Sequence, residues 1–219
     1  MEAVNSRAKR PAPGLRRRQP DATRRRILSA ATCEFAAKGL AGARVDEIAA
    51  RARVSKRMLY HYFGHKEALW LAVLERVYAN MREGEQALKL GTLDPDQGMR
   101  LLIRFNFRYH AEHPEFLAML NEENRQRARN LSRSARVPAM YSPLIRAIED
   151  LLQRGAAGGV FRSDLDPVQL YISIAALSYF YCSNRYTLST IFGRDLSSPQ
   201  EMLQREDHVI EVIMGFLRP

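Results

Sequence analysis

The sequence predicts an all-α protein in which a small three-helix unit near the N-terminus, containing a helix-turn-helix, precedes a larger helical domain. Three observations predict it. Apolar residues recur at helical spacing from Asp21 onward. No alternating strand pattern of useful length and no internal repeat interrupts them. The breaks fall at helix punctuation: Asp94-Pro95, His113-Pro114, Val137-Pro138, Gly158-Gly159, Asp166-Pro167 and Ser198-Pro199. The expected organisation is a flexible basic arm over 1–20, the helix-turn-helix unit over 21–66 and a helical domain over 67–219.

The arm carries Arg7, Lys9, Arg10 and the triplet Arg16-Arg17-Arg18 among Pro11, Pro13, Gly14 and Pro20. Such a segment has nothing to bury. Asp21 is placed to cap a helix with Ile27, Leu28, Ala31 and Phe35 on one face, ending at Lys38-Gly39. A second helix reads Val45 to Ala52, with Val45, Ile48, Ala49 and Ala52 inward. After a break at Arg53-Val54-Ser55 comes Lys56 to Phe63, and beyond Gly64 a longer helix begins near Lys66. Two short helices joined by a tight turn and braced by a preceding one form a helix-turn-helix. Further helices are expected over 66–88, 95–112, 115–130, 138–155, 167–187 and 200–217.

The net charge of +10 is unevenly placed. Residues 1–26 hold nine Lys/Arg against Glu2 and Asp21; residues 27–70 hold seven basic and four acidic groups; the remaining residues balance. A basic anion-binding module joined to a neutral domain has this signature. Cys33 and Cys182 make no disulfide framework, and a reducing cytoplasm is the expected compartment. No secretory signal is visible. The nearly apolar stretch from Val168 to Cys182 is shorter than the ~20 residues of a spanning helix, so no membrane is expected.

In the segment Lys56–Phe63, Leu59 and Phe63 share a face that can seal against the preceding helices. The opposite face then shows Lys56 with Tyr60 and Arg57 with His61, each pair four residues apart. Ser55 stands where a hydroxyl would cap the helix, whose N-terminus attracts phosphate. Arg57 has the donors for guanine O6 and N7, while Lys56, Tyr60 and Lys66 can hold phosphates. The plain alternative is a polar helix face in water. The helix-turn-helix and the charge asymmetry together favour double-stranded DNA, and they offer Arg16, Arg17 and Arg18 as an arm on phosphates or in a minor groove.

The sequence resembles the TetR/AcrR family of transcriptional regulators. The likeness is carried by Ile48-Ala49, Val54-Ser55-Lys56, Leu59-Tyr60-His61-Tyr62-Phe63 and Lys66-Glu67-Ala68-Leu69, and covers residues 22–75. The segment from Ser183 to Leu196 also looks like a C-terminal domain found among these regulators. The resemblance implies about nine helices, a homodimer formed through the last two, and DNA contacts at Ser55, Lys56, Tyr60, Tyr62 and Lys66, with Arg57 and His61 facing the groove. Where the family often has Thr or Ser at the start of the second helix, Ala43, Arg44 and Val45 stand here, and Arg44 can supply a charge in place of the hydroxyl. Where the turn usually has Gly, this chain has Arg53.

The resemblance further implies a ligand pocket among the middle helices. Phe105, Tyr109, Phe116, Met119, Glu122, Tyr141, Tyr179 and Asn184 are the candidate lining, apolar rings with a few polar groups that suit a small hydrophobic or aromatic effector. The function expected is ligand-released repression at a palindromic operator, the alternative being DNA binding without small-molecule input. The segment His110-Ala111-Glu112-His113 raises metal binding, but Pro114 ends that helix. With no Cys cluster, phosphate-cradling Gly loop or nucleophile elbow, neither an enzyme, a metal site nor a cofactor is expected.

Overall fold

The computed structural model describes the backbone of residues 14–219 and the side chains of residues 20–219. Among these the chain forms nine α-helices, two short 3-10 turns and no strand. They fall into two compact units that divide between Ala72 and Val73.

The first unit holds α1 (Gly14–Gly42), α2 (Val45–Ala52), α3 (Lys56–Phe63) and the start of α4 (Lys66–Ala87). The arm expected over 1–20 lies outside the described residues for its first thirteen positions. From Gly14 the backbone is helical, so Arg16, Arg17 and Arg18 belong to α1 and Asp21 lies inside the helix rather than at its cap. Leu, Arg and Gln are strong helix formers, and extending an existing helix is easier than nucleating one; Pro20 forfeits a single backbone bond. Gly39, at φ 65° and ψ 179°, breaks α1 where the sequence places the stop. Ile27, Leu28, Ala31 and Phe35 of α1 are buried with Ile48, Ala49 and Ala52 of α2, Leu59 and Phe63 of α3, and Leu69 and Trp70 of α4. Phe35 meets Trp70 edge-on at 5.0 Å, and Arg24 lies over the Phe63 ring. Val45, expected inward, is only half-buried, because the first position of α2 projects past the packed face.

The second unit continues α4 and adds α5 (Pro95–Glu112), α6 (Pro114–Arg125), α7 (Arg136–Ala157), α8 (Pro167–Phe192) and α9 (Pro199–Leu217). Three starts repeat one device. Asp94, Asp166 and Ser198 cap the free N–H groups of α5, α8 and α9, each followed by a proline whose missing N–H is not needed there. Helix α5 packs on α7, α8 and α9. Met99, Leu102, Ile103 and Phe107 form a core with Ile148 and Leu151 of α7, Leu170 and Ile174 of α8, and Val209, Ile210 and Ile213 of α9.

Helix α6 ends at Arg125 rather than 130. Arg127 and Ala128 take left-handed φ values, and the Glu123 carboxylate accepts the N–H groups of Asn130 and Leu131. Helix α8 continues to Phe192, five residues past the expected end. Within this chain Val168, Ile172 and Phe180 of α8 are exposed, as are Val212 and Phe216 of α9. No helix is long and apolar enough to cross a membrane among the described residues.

Candidate nucleic-acid interface and interior cavity

Helix α3 is short, and its neighbours fix how it is presented. Ser55 Oγ accepts the N–H of Met58 at 3.1 Å, the capping bond expected from the sequence. The turn before it closes by two backbone bonds, Arg53 N–H to Ala50 O and Val54 N–H to Ala49 O, each 3.0 Å. This closure requires a left-handed residue, and Arg53 supplies it at φ 54° and ψ 49°. The side chain there costs about 1 kcal/mol relative to glycine.

Leu59 and Phe63 are buried, which turns Lys56, Arg57, Tyr60 and His61 outward; all four are exposed. Tyr62 is half-buried, with its ring edge-on to His61. Met58 is also exposed beside this face, an apolar group absent from the candidate contacts. Two of the candidate cations are already engaged. Lys56 Nζ pairs with Asp46 Oδ1 at 3.0 Å, which raises its pKa, and Lys66 Nζ donates to the Ala41 carbonyl at 3.1 Å.

At the start of α2, Arg44 has an extended backbone and an exposed side chain that caps nothing. Its own N–H donates to Glu34 Oε1 at 3.1 Å, and the same oxygen takes Lys38 Nζ at 2.8 Å. These bonds hold the Glu34 carboxyl below its ordinary range, the Lys38 bond most strongly. A buried acid of α1 thus anchors the backbone at Arg44.

In the second unit, several of the eight candidate lining residues form one packed ring system. Phe105 lies 5.7 Å from Tyr109, Tyr109 lies 5.7 Å from Phe116, and Tyr78 bridges Phe116 at 5.6 Å to Tyr141 at 6.2 Å. The Phe105 ring sits where Gly84 has no side chain: a Cβ there would stand 2.5 Å from it. Met119 is buried. Of the other three, Tyr179 joins the rings through His110, which lies 6.3 Å from it and 5.7 Å from Phe116, while Glu122 and Asn184 stand apart. Glu122 is held by Arg125 and Gln126, Tyr179 donates to Asn121 Oδ1, and Asn184 donates to the Phe180 carbonyl. His110 is buried with Nδ1 2.7 Å from the Asn106 carbonyl, and no group of His, Cys, Asp and Glu suited to a metal occurs among the described residues.

None of the eight borders the cavity of ≈ 200 Å³ in this unit. Its wall consists of Arg82, Glu85, Gln86, Leu90, Met140, Pro143, Leu144 and Ala147. Arg82 is buried, 4.3 Å above the Tyr141 ring, and its Nη2 donates to the Tyr171 hydroxyl at 2.8 Å. Its Nη1 lies 2.8 Å from Glu85 Oε2, close but not aligned as a hydrogen bond. Burial pushes the Glu85 carboxyl up to about 7, against the pull of Arg82. Sequence reading missed both residues, although they continue the inward stripe of Val73, Leu74, Val77, Tyr78 and Met81 at helical spacing.

Comparison with known proteins adds two family matches. Residues 27–73 match the model described as bacterial regulatory proteins, tetR family, and residues 95–213 match the one described as tetracyclin repressor-like, C-terminal domain. The chain is 38% identical over 187 residues to the transcriptional repressor NicS of Pseudomonas putida, covering 85% of this chain and 88% of that one. It is 32% identical over 181 residues to the transcriptional activator FasR of Mycolicibacterium smegmatis, covering 81% and 82%. Among solved structures, the regulator SCO4942 of Streptomyces coelicolor superposes with a TM-score of 0.66 at 26% identity, over 90% of this chain and 99% of that one.

Proposed function

The chain belongs to the TetR family of bacterial transcriptional regulators, and on that premise we propose that it acts as a homodimeric repressor, each protomer placing α3 in the major groove of a near-palindromic operator until a small effector enters the second unit. The observation that carries this reading is the split of α3, with Leu59 and Phe63 sealed in the core and Lys56, Arg57, Tyr60 and His61 facing solvent. In this reading Arg57 and His61 read base edges, while Ser55, Lys56, Tyr60, Tyr62, Lys66 and Arg44 with Val45 hold the backbone. One such helix makes few base contacts, so specificity needs two related by a dyad.

The dimer surface we assign to α8 and α9. In the single chain Ile172, Phe180, Ile191 and Phe192 of α8 and Val212 and Phe216 of α9 are exposed. So much apolar surface on two neighbouring helices marks an interaction site. Repression, rather than activation, follows the likeness to NicS, the more similar of the two relatives compared above. An effector that favours a spacing of the two α3 helices unsuited to DNA releases the operator by that preference alone, typically ~1–3 kcal/mol. Phe105, Tyr109, Phe116 and Tyr141 are proposed to pack behind its site rather than to line it.

Selection of bound duplexes from a random pool tests the proposal. Enrichment of an inverted repeat, with half-sites spaced by one helical turn or a multiple, is the expected result. Enrichment of single half-sites, or none at low ionic strength, contradicts it.

A further inference from the structure

One cavity of the second unit, of ≈ 200 Å³, carries in its wall two ions whose hydrogen-bonding capacity is largely unspent. Arg82 and Glu85 stand one helical turn apart on α4, each 3% exposed, and both border the cavity. Nε and Nη1 of Arg82 and both carboxylate oxygens of Glu85 have no hydrogen-bond partner among the described residues. Leaving so many buried polar atoms unpaired is costly, and it marks a place where another molecule supplies the partners. The rest of the wall is mostly apolar, from Leu90, Met140, Pro143, Leu144 and Ala147, with Gln86 as its other polar residue.

We propose that the Arg82–Glu85 pair is the polar anchor of the effector site, and that the effector is a small, neutral, largely apolar molecule with an acceptor and an N–H donor side by side, as on an amide or lactam edge. This rests on the effector-released reading above and gives it a chemical class. The acceptor meets the free N–H groups of Arg82 and the donor meets the Glu85 carboxylate. Charge decides against the alternatives. Among the described residues Arg82 is the only cation in the wall, and Glu85 already balances it. A carboxylate ligand would bring a second anion beside Glu85, and an ammonium a second cation beside Arg82. A neutral edge meets both ions without adding charge. The cavity also falls below the ~300–1,000 Å³ typical of sites for drug-sized ligands, so the molecule is small.

Three probes built on one phenyl ring separate these chemistries: benzamide, benzoate and the smaller toluene, titrated calorimetrically into the full-length chain at about pH 8.5, where Glu85 is ionised. Benzamide is expected to bind about tenfold or more tighter than either of the others, the worth of hydrogen bonds to buried charged groups. Glu85→Gln leaves the Arg82 charge uncompensated, so the order should reverse, benzoate gaining and benzamide losing about tenfold. If that variant folds poorly, Ala147→Leu narrows the cavity without touching either ion and should weaken benzamide binding. A wild-type preference for benzoate, benzamide affinity unchanged in both variants, or no binding by any probe overturns the proposal. Operator release by a library of small metabolites, run in parallel, distinguishes the two levels. Release that persists in both variants keeps the effector-responsive reading and removes this anchor; no release from any compound removes both.

Discussion

Lys56 Nζ lies 3.0 Å from Asp46 Oδ1, an ion pair that ties the first turn of α3 to the first turn of α2. The bond orients α3, but it also places a carboxylate at the edge of the face proposed to meet DNA. Asp46→Asn removes that negative charge and frees the ammonium. Affinity for duplex DNA of any sequence should rise several-fold at low salt, and the slope of log affinity against log salt should steepen by about one counterion. Fluorescence anisotropy across a salt series reads both. An unchanged slope would place this edge of α3 away from the phosphates.

Arg57 has no ion-pair or hydrogen-bond partner among the described residues and stands exposed in the first turn of α3. Arg57→Ala should lower affinity for the selected operator by about tenfold or more, while affinity for random duplex falls much less. Lys66→Ala should act differently, since Lys66 Nζ also holds the Ala41 carbonyl. It should weaken both duplexes alike and lower thermal stability slightly. Equal losses from Arg57→Ala on both duplexes would remove its base-reading role.

The turn between α2 and α3 holds Arg53 in a conformation that suits glycine. Arg53→Gly relieves that strain, although a glycine also gains freedom in the unfolded chain. The net effect should be a gain of up to about 1 kcal/mol in chemical denaturation. A loss of stability would mean that the arginine side chain makes a contact worth more than the strain it brings.

The parts legible in the sequence are those set by local chemistry. Asp94-Pro95, Asp166-Pro167 and Ser198-Pro199 begin helices because cap and proline act within one turn. The faces of α3 follow from the spacing of Leu59 and Phe63 alone. What stayed hidden depends on long-range partners. Glu34, ten residues before Arg44, accepts the Arg44 N–H, and nothing near Arg44 signals it. Arg82 and Glu85 stand in the charged run Arg82-Glu83-Gly84-Glu85, yet both are buried. The helical register of Tyr78 and Met81 is the available clue, and it is a weak one because charges are seldom buried. The aromatic residues chosen for the pocket lie largely in a ring-on-ring core, because rings stabilise packing before they line a void.

Two buried groups of the second unit titrate in opposite senses, and this fixes its pH response. Burial raises Glu85 from 4.5 to about 7 in the folded chain. The folded state therefore binds its proton more tightly than the unfolded state does. The resulting stability is fully present below about pH 4.5 and is lost as pH rises through 7. His110 is shifted the other way: burial lowers its pKa below 6.5, more than the bond to the Asn106 carbonyl raises it. Its contribution is present above pH 6.5 and is lost as pH falls through the lowered value. The two partly cancel in the wild type. Glu85→Gln removes the first alone, so between pH 5 and 7 the variant should lose stability on acidification more steeply than the wild type. His110→Gln should do the reverse, its stability rising relative to the wild type as the medium becomes acidic. Urea unfolding of the three proteins at half-unit pH steps measures the slopes. Parallel curves for wild type and Glu85→Gln would show that this carboxyl titrates at its ordinary value, and hence that water reaches it in the folded chain.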